Sequence, residues 1–112
     1  MSSPSTLAFF GIRLPMASES PELALLEARR HPLQLAARKE GLDFYWGNFG
    51  EPAEEYLLFV GLNLGMVGPE AVPWIVLDID NLKLKAGLAS QKLVRIGLQQ
   101  KPSLFVQWMP DA

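Results

Sequence analysis

The chain has no cysteine and a single histidine. The first absence removes disulfides, thiolate nucleophiles, iron–sulfur ligation and cysteine-bound zinc. The second removes multi-histidine metal sites within one chain. Neither sign of charge dominates: 10 Lys and Arg stand against 12 Asp and Glu, a formal net charge of −2. That balance leaves no global footprint for nucleic acid, which is therefore not an expected partner. Uninterrupted apolar stretches of membrane-spanning length are also missing. Residues 56–77 have the ~20 positions that a spanning helix needs, with only Glu70 charged, but Gly61, Gly65, Gly68, Pro69 and Pro73 punctuate them. Two buried strands with a turn between them are the better reading. The apolar run at residues 7–12 lacks a basic flank and is cut by Arg13, which argues against a signal peptide. The expectation is a soluble cytoplasmic protein with no cofactor and no metal.

What is present is an ordinary globular composition, 49% hydrophobic and 20% charged over 112 residues, enough for one domain with one modest core. Residues 7–14 read as a strand, with Phe10, Ile12 and Leu14 on one face and Phe9 and Arg13 on the other. Ser20, Pro21 and Glu22 form a helix start signal, and Leu23, Leu26 and Arg30 mark its stripe. His31-Pro32 breaks or bends that helix, because Pro32 lacks the amide and pushes the preceding residue out of helical geometry. A second helical piece over residues 33–40 ends at Gly41, with Leu42 packing back on its last turn. Residues 43–49 read as an aromatic strand, with a turn at Gly47-Asn48 or at Gly50-Glu51-Pro52. Residues 55–62 are apolar on both faces, as a central strand requires. Residues 72–79 are a plausible further strand despite Pro73. From Asn81 the period changes: Leu82, Ala86, Ala89, Leu93 and Ile96 form one helical face, with Asp80 as its cap and Gly97-Leu98 as its stop. Residues 103–109 close the chain as a strand.

The expected fold is α+β: a four- or five-stranded, mainly antiparallel sheet with two helices on one face. Its element order, β-α-β-β-α-β, resembles the ferredoxin-like plan, and that resemblance rests on element order alone. Such an order implies nothing specific about function.

Charge is segregated along the chain. Residues 51–80 carry Glu51, Glu54, Glu55, Glu70, Asp78 and Asp80 with no Lys or Arg, whereas residues 81–101 carry Lys83, Lys85, Lys92, Arg95 and Lys101 with no acid. Complementary surfaces joining two copies, or this chain and a partner, are one reading, with Lys92 and Arg95 as interface residues. A solvated helix face with Lys92 and Arg95 complementing its dipole is the plainer one.

Few groups carry chemistry. His31 is the obvious general base, set at a helix break that would project it toward solvent or a cleft; an exposed or capping histidine is the alternative. Asp78 and Asp80, two apart, suit Mg²⁺ or the start of a helix. Gly61, Gly65 and Gly68 have neither the spacing nor the lysine of a phosphate loop. Phe44, Tyr45, Trp46 and Phe49 form the densest aromatic cluster, a frequent anchor in pockets and interfaces. No serine sits in a nucleophile elbow. Three functions follow as expectations. The first is a non-catalytic protein-interaction or self-associating module, a homo-oligomer or the binder of a protein partner. The second is a small-molecule-binding domain or enzyme with a pocket near His31, Tyr45, Trp46 and Asn48. The third is an acidic inhibitor or immunity-type protein that uses the 51–80 face.

Overall fold

Two stretches with apolar residues at a period of two become unusually long strands. In the computed structural model, which describes residues 4–17, 20–48, 55–69 and 72–109, the elements run β1 (Ser5–Ala17), α1 (Glu22–Glu27), α2 (Pro32–Glu40), β2 (Asp43–Asn48), β3 (Glu55–Val67), α3 (Ile79–Arg95) and β4 (Ser103–Met109). β1 and β3 have 13 residues each, against about 5–6 for a common strand. They pair antiparallel from Thr6 and Val67 to Ala17 and Glu55, with a bulge at Ala8/Phe9. β2 flanks β3 and β4 flanks β1, both antiparallel, so the four-stranded sheet has the order β2-β3-β1-β4.

The element order is β-α-α-β-β-α-β, one helix more than the expected β-α-β-β-α-β. The cause is local. α1 ends at Glu27, Arg29 turns left-handed at φ 59°, and α2 restarts with Pro32 at a position whose amide has no helical partner to lose. The expected strand over residues 72–79 is also absent. Its only pairing is a parallel bridge between Val67 and Val72, and Pro73 can donate nothing to a ladder. The cap of α3 is Asp78, not Asp80: an Asp78 carboxylate oxygen accepts the Asn81 amide at 3.0 Å, which starts the helix at Ile79.

Both faces of the sheet carry an apolar core. On the helix side, Ile12 and Val60 meet Ala37, Ala89 and Leu93. Leu42 and Leu98, each just past a left-handed glycine, pack back into the same cluster, as Gly41-Leu42 and Gly97-Leu98 imply. Beside it, Leu26 of α1 packs on Met16 and Leu58. On the opposite face, Leu7, Phe9, Phe59 and Met109 are buried among strand residues, with no helical residue in the cluster. Phe9 and Phe59 lie 5.4 Å apart between ring centroids. Arg13 borders this cluster, its guanidinium 4.9 Å over the Phe105 ring and donating to Gln107 at 3.1 Å. Among the described residues no helix is long and apolar enough to cross a membrane.

At one point in the ladder of the two long strands, Gly11 faces Gly61. Their φ values, 150° and 149°, are open only to glycine, and a β-carbon on either would collide with the carbonyl oxygen of Val60 or Phe10. Gly87, in mid-α3, has open space where its β-carbon would be. Gly61→Ala is therefore expected to lose about 3 kcal/mol or more, or to abolish folding. Gly87→Ala should gain about 0.5–1 kcal/mol. Urea denaturation followed by circular dichroism measures both, and equal effects at the two positions would refute the account of the crossing.

Candidate functional site

His31 is not projected toward solvent or a cleft. It is 5% exposed and caps α2. Its Nδ1 accepts the Leu33 amide at 3.1 Å, so the neutral ring holds its proton on Nε2, which lies 3.0 Å from Glu22 Oε1. Its backbone N–H donates to Gln34 Oε1 at 3.2 Å, while Gln34 Nε2 reaches the Leu26 carbonyl at 3.3 Å. The arrangement is a capping box with histidine in the place of serine. Both ring nitrogens are occupied in joining α1 to α2, which leaves neither to move a proton for a substrate.

The aromatic residues expected to converge with it separate by alternation. Tyr45 packs on the helix-free face beside Phe59, whereas Trp46 packs on the helix side with Leu26 and Leu58, its ring 6.0 Å from that of Tyr56. Consecutive strand residues point to opposite faces, so His31, Tyr45 and Trp46 share no cavity. Asn48 is the last residue of β2, with its backbone in register with Tyr56; its side chain and all of Phe49 lie outside the described residues.

Arg95 is paired within the chain and Lys92 stands beside the end of α2. Arg95 Nε lies 3.3 Å from Glu40 Oε1, and Lys92 Nζ sits 3.6 Å from the point where a side chain at Gly41 would begin. Both cations thus stand at the C-terminus of α2, where positive charge complements the helix dipole. Of the acidic block, Glu51, Glu54 and Glu70 lie outside the described residues, Asp78 caps α3, and Asp80 lies in its first turn.

Two features emerge that the sequence reading did not single out. One is a groove of about 640 Å³ between the α1–α2 junction and the edge strand β2, with Arg29 and Arg38 among its lining residues and Leu26, Phe44 and Trp46 as its apolar part. Of the expected binding residues, only Trp46 borders it. Arg29 is the only non-glycine at positive φ among the described residues, a conformation that costs an arginine about 1 kcal/mol. The sequence signal was the missing glycine at the end of α1, where α2 and α3 both have one.

The other is the helix-side face of β4. Leu104, Val106 and Trp108 are 50%, 72% and 55% exposed, in a strand with no charged residue. Their alternation with Phe105 and Gln107 is visible in the sequence, but which of the two sets meets solvent is not. Exposed Trp74 and Val76 flank Ile75, which packs on Gly65. Gly65 registers with Ala8, and Ala8 with Val106, so Ile75 and Val106 lie over the same row of the sheet.

A capping role for His31 makes a specific expectation. His31→Ala should cost about 1–2 kcal/mol in urea denaturation, and His31→Asn, a good cap, should recover roughly half of that loss. Equal losses in the two variants would mean that volume, not the cap, is what matters.

The chain matches no known protein family, no curated protein and no solved structure.

Proposed function

We propose that this is a non-catalytic interaction domain that associates with a second copy of itself through β4. The carrying observation is the exposed apolar row Leu104, Val106 and Trp108 on an edge strand. Edge strands usually protect their open backbone with lysine, proline or a bulge. β4 has none of these within Ser103–Met109, and no described residue pairs with its outer side.

Self-pairing suits this strand in particular. An antiparallel two-fold centred on Val106 sets Leu104 opposite Trp108 on one face and Phe105 opposite Gln107 on the other. On the first face apolar residues then meet apolar residues, and no like charges are opposed on either. A stable dimer buries about 800 Å² on each partner. One seven-residue strand supplies less than that, so exposed Trp74 and Val76, on either side of the Ile75 that packs on Gly65, are assigned to the contact as well. The ferredoxin-like reading of the fold belongs here too, as a plan whose first helix is broken at His31-Pro32. The central position of β1 and β3 supports it, and it leaves β4 as a free edge. The scarcity of uncommitted catalytic groups favours binding over chemistry: His31 is held by Leu33 and Glu22, and Arg95 by Glu40.

Sedimentation equilibrium at about 1–100 μM tests the reading, this being the concentration range in which modest interfaces associate. A dimer is expected. Val106→Lys should return it to monomer with an unchanged melting temperature, because Val106 touches no core cluster. Reversing the charges of Lys92 and Arg95 should leave association unchanged. A wild-type chain that stays monomeric at about 100 μM, or a dimer indifferent to Val106→Lys, would overturn the proposal.

A further inference from the structure

The three helices end in the same way, with one exception. In each, the residue after the last turn is left-handed and the following amide reaches back five residues: Leu42 to Ala37 at 2.8 Å, Leu98 to Leu93 at 3.0 Å, Arg30 to Leu25 at 2.8 Å. The left-handed residue is Gly41 after α2 and Gly97 after α3, but Arg29 after α1. Glycine is the residue that this conformation favours, and an arginine there sets backbone strain against whatever its side chain does. That side chain borders the groove described above, and Arg38 borders it from α2.

We propose that this groove binds a small organic anion, a phosphate or carboxylate head on a flat apolar body. Arg29 and Arg38 both line the groove and make no ion pair with any described residue, so two guanidiniums capable of bidentate donation are available at it. Of the other polar lining residues, Asp43 accepts the Asn63 amide at 2.7 Å, and Gln34 is engaged by His31 and Leu26. Glu27 and Asp43 are the carboxylates among the lining residues, and their charge weakens the pull on a doubly charged head group more than on a singly charged one. Half-buried Trp46 and Phe44 offer ring surface for an aromatic body, and about 640 Å³ suits a small molecule. Arg29 thus keeps a strained backbone because its guanidinium completes the anion clamp.

The test uses phenyl phosphate, benzoate and inorganic phosphate as probes, titrated by calorimetry and by amide chemical-shift mapping. Wild-type protein should bind at least one aryl anion saturably, with shifts centred on Trp46 and Arg38, and should bind inorganic phosphate more weakly. Arg29→Gly should raise the thermal midpoint by relieving strain while weakening binding about tenfold or more, as the loss of charge-assisted hydrogen bonds implies. Arg38→Gln should weaken binding similarly without the stabilisation. Tighter binding of phenyl phosphate than of benzoate would identify the head group as phosphate, and the reverse order as carboxylate. No saturable aryl-anion binding up to about 10 mM, a weak-binding limit, would overturn the proposal. So would binding that survives Arg29→Gly, or an Arg29→Gly variant that melts lower than wild type. Inorganic phosphate binding as tightly as phenyl phosphate would overturn the part assigned to the aromatic surface.

Discussion

The glycine pair in the sheet, where Gly11 faces Gly61, is the constraint on which the rest of the molecule depends. Two 13-residue strands are paired there in a backbone conformation that would drive any β-carbon into the facing strand. Glycine kinks bend long strands, and a bend divides a long ribbon into regions that can be covered separately. On the helix side, Ile12 and Val60, each next to one of these glycines, hold the helical core. On the other side, Phe9 and Phe59 flank the crossing and build a second apolar cluster from strand residues. A sheet covered in this way at its centre leaves its edges, β2 and β4, as the strands with an unpaired side.

The helical layer uses up polar chemistry that a catalytic site would otherwise need. Splitting the first connection into α1 and α2 creates an additional pair of helix ends, and buried helix ends must be satisfied. His31 and Gln34 do this at the start of α2, and Glu22 anchors His31 from α1. At the other end of α2, Lys92 and Arg95 supply positive charge from α3. The side chains that look most reactive in the chain thus belong to the joinery between helices. Among the groups without an ion pair to a described residue are the guanidiniums of Arg29 and Arg38, which share a groove, and the apolar row on β4 stands exposed.

Much of the fold was legible because it rests on local rules. Alternation marked β1 and β3 and assigned Phe10, Ile12 and Leu14 to one face. Gly41-Leu42 and Gly97-Leu98 marked two helix ends through a conformation that other residues avoid. The break at His31-Pro32 followed from the missing proline amide. Its consequence did not: whether a broken helix bends or becomes two depends on how α1 and α2 each pack, as Leu26 on Leu58 and Ala37 beside Val60. The stretch over residues 72–79 misled because β-prone composition indicates apolar burial, not a strand partner, and Ile75 finds its burial against Gly65 without a ladder.

The candidate sites were less legible for the same physical reason. The sequence by itself determined which atoms exist: one imidazole, no thiol, segregated charge, and an uncharged strand near the end of the chain. It also determined periodicity, and hence which residues share a face. Only the tertiary structure decided which face is covered. The helices stop short of Leu104, Val106 and Trp108, and no pattern within residues 103–109 encodes how far a distant helix reaches. The same holds for His31, whose ring is occupied by Leu33 and Glu22, and for Trp46, which meets Arg29 and Arg38 across a groove. Contacts between residues far apart in the chain arise from the packing of whole elements, and no local spacing records them.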